Sequence, residues 1–180
     1  MNSTPILSSP RPPAREFRID VVRAADGVAD VRVLLQDYAA SHDVDLGGEG
    51  FEAELAALPG DYAPPAGELL LARDRGGGAL GCIALRSLGP GSGEIKRLYV
   101  CPPARGLGLG RALVTAICAV AEGLGYREIK LDTLPSLTAA AGLYGAMGFE
   151  PIPNYGANRY PGLLCFGKTL AGASLAGGRP

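Results

Sequence analysis

The clearest chemistry in the chain lies in Arg105-Gly106-Leu107-Gly108-Leu109-Gly110-Arg111. Three alternating glycines let the backbone curl and leave main-chain N–H groups uncovered, since glycine has no Cβ. The apolar run after them reads as a helix from Gly108 to about Leu124. Its first N–H groups lack intrahelical acceptors, and its dipole favours an anion there. A strand, a glycine turn and a helix N-terminus in that order make a pyrophosphate cradle. Arg105 and Arg111 add charge-assisted contacts to phosphate.

Two known phosphate loops do not fit. A Walker A loop needs Lys and then Ser or Thr after its last glycine, and Arg111-Ala112 stand there. A dinucleotide fold wants Gly-x-Gly-x-x-Gly, which the spacing Gly106-x-Gly108-x-Gly110 does not match.

The elements that must position this loop can be read on either side of it. Residues 17–24 (FRIDVVRA) form a strand, and Asp26 caps a helix running to about Ser41, with Val28, Val31, Leu34, Leu35 and Tyr38 as its apolar stripe. A short helix, FEAELAAL, stops at Pro59-Gly60. Residues 68–73 and 79–88 are strands joined by Asp74-Arg75-Gly76-Gly77-Gly78, an antiparallel hairpin. Residues 94–100 (EIKRLYV) form a fourth strand and 127–133 (REIKLDT) a fifth, parallel to it across the apolar helix. A helix over 136–147 and two short strands near 149–153 and 163–169 complete the chain. This order predicts one α+β domain over 16–170, with a mixed, mostly antiparallel sheet flanked by helices. Residues 1–15, with four prolines, read as a disordered leader, and 171–180 as a flexible tail.

Composition limits the partners. With 47% hydrophobic and 19% charged residues the chain can bury a core. A net charge of -1 offers no basic footprint for nucleic acid. No apolar run is long enough for a bilayer, and the N-terminus lacks a secretory pattern, so a cytoplasmic protein is expected. Cys82, Cys101, Cys118 and Cys165 show no CxxC spacing, and His42 is the single histidine, so no metal site is expected. Cys82 and Cys118 lie in apolar runs and read as small core residues.

The glycine loop resembles the cofactor motif of the GNAT superfamily of N-acetyltransferases, Gln/Arg-x-x-Gly-x-Gly/Ala, through Arg105, Gly108 and Gly110. Ala140, Leu143-Tyr144 and Gly148-Phe149 resemble a second family element, A-x-x-L-Y-x-x-x-G-F. The resemblance implies acetyl-CoA as acyl donor and an amine as acceptor. It implies a fourth strand that splays from the fifth, with the backbone of Leu98, Tyr99 and Val100 pairing with pantetheine in the gap. Arg105, Gly106, Leu107, Gly108, Leu109, Gly110 and Arg111 would hold the pyrophosphate. It also implies Tyr144 as general acid for the departing thiolate. Glu94, eleven residues before Arg105, would be the base; a surface glutamate paired with Lys96 or a cross-strand residue is the alternative. Many family members have an asparagine seven residues before the tyrosine, where this chain has Leu137; Ser136 or Thr138 would replace it.

The acceptor side is less defined. Residues 38–62 and 151–160 would build it: Asp43, Asp45, Glu49 and Asp61 could attract an amine, Tyr155, Asn158, Arg159 and Tyr160 could line the pocket, and His42 reads as a helix-end residue. The expected activity is acetyl transfer to a primary amine of a small molecule; a protein lysine or N-terminus, or binding without turnover, are the alternatives. A homodimer is left open.

Overall fold

A computed structural model describes residues 16–41, 49–156 and 162–171. In chain order the elements are β1 (Phe17–Val21), α1 (Ala25–Ser41), α2 (Glu49–Ala57), a 3-10 turn (Gly60–Tyr62), β2 (Glu68–Asp74), β3 (Ala79–Gly89) and β4 (Ser92–Val100). A second 3-10 turn (Pro102–Ala104) leads to α3 (Leu109–Gly123), followed by β5 (Glu128–Thr133), α4 (Thr138–Gly145), β6 (Glu150–Pro151) and β7 (Leu164–Thr169). The expected leader 1–15, and all but Ala171 of the expected tail, lie outside the described residues.

The strands form one seven-stranded sheet in the order β1-β2-β3-β4-β5-β7-β6. The β4–β5 pair is parallel and the other pairs are antiparallel, as the element order predicts. The α+β reading therefore holds. Local boundaries shift. β1 ends at Val21, before Ala24, and α4 spans eight residues where twelve were expected. Its end is set by Gly148, which at φ 79° lets the Met147 and Phe149 N–H groups both donate to the Tyr144 carbonyl.

Period-two alternation sorts the central strands into two cores. Leu70, Ala72, Ile83 and Leu85 face α3, while Leu69, Leu71, Cys82 and Ala84 face α1 and α2. Buried on both faces, β2 and β3 therefore read as apolar runs. α3 contributes Leu109, Leu113, Val114, Ile117 and Ala121 as one stripe. Cys82 is fully buried, as expected, whereas Cys118 is half-buried at the edge of its core. Among the described residues no helix is long and apolar enough to cross a membrane.

Candidate active site

The glycine loop is a left-handed turn onto α3. Gly108 is the N-cap at φ 82° and Gly106 lies at φ 75°, conformations that cost an L side chain about 1 kcal/mol or more. The first helical bond of α3 is Ala112 N–H to the Gly108 carbonyl, so the Leu109, Gly110 and Arg111 N–H groups are left for another acceptor. Leu109 is buried and anchors the turn, while Leu107 is exposed. Arg111 is exposed beside the turn. Arg105 is used differently: its Nε donates to the Val100 carbonyl at 3.0 Å, tying the loop to the end of β4.

Beside this loop the sheet opens. β4 pairs with β5 only through Ser92, Gly93 and Glu94, opposite Glu128, Ile129 and Lys130. Beyond Glu94 the two parallel strands part. The cause lies on the other edge of β4, where Arg97 and Leu98 together oppose the single residue Ile83. This bulge puts Arg97 at φ 58° and bends β4 away from its parallel neighbour. Cys101 N–H donates to the Leu80 carbonyl, so ladder alternation turns the Val100 N–H and C=O toward the gap. Tyr99 sends its ring toward α1, 5.6 Å from the Tyr38 ring. The gap thus presents polar main chain on one wall.

Tyr144 stands on α4, held edge-on by Phe149 at 5.7 Å and against Phe166 at 6.2 Å. It is buried, yet its hydroxyl makes no hydrogen bond to a described residue and is not sealed from solvent. Burial raises its pKa above the ordinary phenol value, and the phenol of Tyr38 and the carboxylate of Asp132 add to the shift. An acid so placed stays protonated through the neutral range. At the start of α4, Leu137 supplies no side-chain cap, and Ser136 and Thr138 are exposed.

Glu94, the last β4 residue paired with β5, is not a surface glutamate: it is 2% exposed. Arg86, its cross-strand partner, donates Nε to Oε2 at 2.6 Å, and the Tyr155 hydroxyl donates to Oε1 at 2.8 Å. Lys96 Nζ is 3.8 Å from the same carboxylate and 2.9 Å from Asp132 on β5, so this ion pair crosses the gap. Next to it, Arg97 grips Glu54 with Nε at 2.7 Å and Nη2 at 2.5 Å, and the Tyr62 hydroxyl donates to Glu54 at 2.6 Å. A cleft of about 270 Å³ opens over this face; Glu54, Asp61, Tyr62 and Arg86 are its polar lining.

Sequence reading named the loop, Tyr144, Glu94, Asp61 and Tyr155, and named Lys96 as the alternative partner of Glu94, but it assigned no place in this site to Arg86, Glu54, Arg97 or Asp132. The alternation Glu94-x-Lys96 was a usable sign that both share a face. Nothing local marks Arg97 as a bulge residue. Of the other acceptor-side expectations, Glu49 opens α2, and His42, Asp43, Asp45, Asn158, Arg159 and Tyr160 lie outside the described residues.

Comparison with known proteins agrees with this geometry. Residues 33–149 match the family model described as Acetyltransferase (GNAT) family. An uncharacterized N-acetyltransferase of Schizosaccharomyces pombe is 41% identical over 147 residues, covering 81% of this chain and 90% of that protein. The mycothiol acetyltransferase of Pseudarthrobacter chlorophenolicus is 38% identical over 126 residues, 67% of this chain and 38% of that longer protein. Among solved structures, a GNAT-family acetyltransferase of Staphylococcus aureus superposes with a TM-score of 0.72 at 16% identity, covering 86% of this chain and 99% of that one. The chain belongs to the GNAT acetyltransferase family and is an acyltransferase.

Proposed function

We propose that the protein transfers the acetyl group of acetyl-CoA to a primary amine of a small molecule, directly within a ternary complex. The observation that carries this reading is the opening between β4 and β5 beyond Glu94, with the α3 N-terminus following β4 and α4, which bears Tyr144, following β5. The residues present suit acetyl-CoA. The Leu109, Gly110 and Arg111 N–H groups and the Arg111 guanidinium suit its pyrophosphate, and the open edge of β4 at Leu98 and Val100 suits pantetheine. Tyr99 pairs with Cys82 on β3, which leaves it the smaller share of that edge. Bound acetyl-CoA supplies an activated thioester.

The remaining chemistry is assigned to the chain. An amine with pKa about 10.4 must lose a proton at neutral pH, at a cost of roughly 4–5 kcal/mol. Glu94 takes that proton, with the Tyr155 hydroxyl between its buried carboxylate and the open side. As the N–C bond forms and the C–S bond breaks, Tyr144 donates its proton to the departing sulfur. The ammonium, thioester, Glu94 carboxylate and Tyr144 phenol thereby become amide, thiol, protonated Glu94 and phenolate. The second nitrogen proton, which leaves as the amide forms, passes through solvent to restore the phenolate, while solvent takes the proton from Glu94.

Thermal melts with acetyl-CoA, ATP and NAD test the donor. Acetyl-CoA at a hundred times its Kd adds about 2.7 kcal/mol of stability. Thiol release with a panel of small amines tests the transfer. A melt shifted by ATP or NAD and not by acetyl-CoA rejects the reading.

A further inference from the structure

On the sheet face beneath α1 and α2 the cations are matched by carboxylates. Arg97 lies on Glu54, Lys96 on Asp132, and Lys130 on Glu128 at 2.8 Å. Arg86 differs in one respect. Only its Nε is engaged, by Glu94, and neither Nη group has an acceptor among the described residues. Its side chain is 36% exposed and forms part of the cleft wall.

A guanidinium with a vacant outer edge is a receptor for a planar oxyanion, because parallel N–H groups match the two oxygens of a carboxylate. The carboxylates of the cleft do not oppose such a ligand strongly. Glu54 already accepts from both Arg97 and Tyr62, and Asp61 is exposed, where water and salt screen it. The position is also suited to the reaction. The same guanidinium touches Glu94, which sits where β4 and β5 part. A carboxylate held on the Nη edge leaves a neighbouring amine within short reach of the gap.

We propose that Arg86 binds a carboxylate of the acceptor, so that the acceptor is an amine bearing a carboxylate close to its nitrogen, as an α-amino acid does. This specificity rests on the acetyl transfer proposed above. Arg86 is the recognition residue; the transferred group and the proton path are unchanged.

The test compares α-amino acids with their amides. Thiol release from acetyl-CoA is measured for both sets with wild type, Arg86→Lys and Arg86→Gln, after a thermal melt of each variant. Calorimetry without acetyl-CoA measures the binding of N-acetylated amino acids and their amides. Wild type should favour the acids in kcat/KM by roughly tenfold to a hundredfold, the worth of one charge-assisted bidentate contact. The preference should fall toward unity in both variants. Damage to Glu94 lowers both substrate sets alike and cancels in that ratio. Equal use of acids and amides by wild type overturns the proposal, as does a preference that survives in both variants. Absence of thiol release with any amine rejects acetyl transfer instead. Calorimetry then decides Arg86 separately: tighter binding of the N-acetyl acids to wild type than to Arg86→Gln supports the site, and equal binding sinks it.

Discussion

The Tyr155 hydroxyl, from the loop after β6, reaches the buried Glu94 carboxylate at 2.8 Å, while Arg86 holds the other oxygen at 2.6 Å. One carboxylate is thus shared between a β3 cation and a phenol 61 residues further along the chain. Burial first and the Glu94 carboxylate second raise the cost of charging Tyr155, whose pKa is shifted upward. Tyr155→Phe removes the link between Glu94 and the open side. The expected result is a fall in kcat of about tenfold to a hundredfold, with acetyl-CoA affinity unchanged. Steady-state kinetics beside a calorimetric titration of acetyl-CoA decide it; a loss confined to acetyl-CoA binding would contradict the role.

Tyr144→Phe keeps the ring contacts with Phe149 and Phe166 and removes only the proton donor. We expect acetyl-CoA binding within about twofold of wild type and kcat lower by about a hundredfold. Burial keeps the phenol protonated past its ordinary value, so deprotonation of Tyr144 does not limit the wild-type rate up to about pH 10. An alkaline decline starting near pH 8 that vanishes in Tyr144→Phe would be evidence against this assignment.

Gly108→Ala probes the loop. A Cβ there meets no atom within 4 Å, so the penalty is the left-handed backbone alone, about 1 kcal/mol. We expect a small drop in melting temperature together with about tenfold weaker acetyl-CoA binding, because the first N–H groups of α3 are re-aimed. Unchanged affinity would remove the turn from the cofactor site.

The Glu54–Arg97 pair holds the bulge that opens the sheet. Burial pushes the Glu54 carboxyl up, but its bonds to Arg97, that charge and the Tyr62 hydroxyl outweigh this and leave it below the usual range. A lowered folded pKa stabilises above the unfolded value of about 4.3, and that contribution is lost as pH falls below it. Glu54→Gln should cost about 1–3 kcal/mol at pH 7 and flatten the acid-side decline. Urea midpoints at pH 7, 5 and 4 measure both; parallel curves for the two proteins would exclude the pair as a source of acid sensitivity.

At the alkaline end the thiols decide. Burial pushes Cys82 up to about 12 and Cys118 up to about 11. Folded thiols keep protons that unfolded ones, with pKa about 8.5, release. Their contribution is complete below about pH 8 and declines as pH rises toward the folded values. The urea midpoint should therefore fall between pH 8 and 10, less steeply in Cys82→Ala. A flat wild-type profile over that range would mean that these sulfurs are not held protonated by burial.

Local residue order was enough for much of this protein. The apolar runs of β2 and β3, the apolar stripe of α3 and the Gly108 turn are short-range properties, set by sterics and by where each side chain points, and they were legible in the chain. So were the two motifs around Arg105 and Tyr144. The partition of charge around Glu94 was not. Arg86, Tyr155, Lys96 and Asp132 come from four segments, and only strand register decides that Arg86 faces Glu94 and that Lys96 reaches Asp132. The bulge at Arg97 likewise follows from pairing one residue of β3 with two of β4, a mismatch that exists only once the strands are aligned. Sequence determined which groups could act; the sheet decided which are paired, which are buried, and which guanidinium edge stays open.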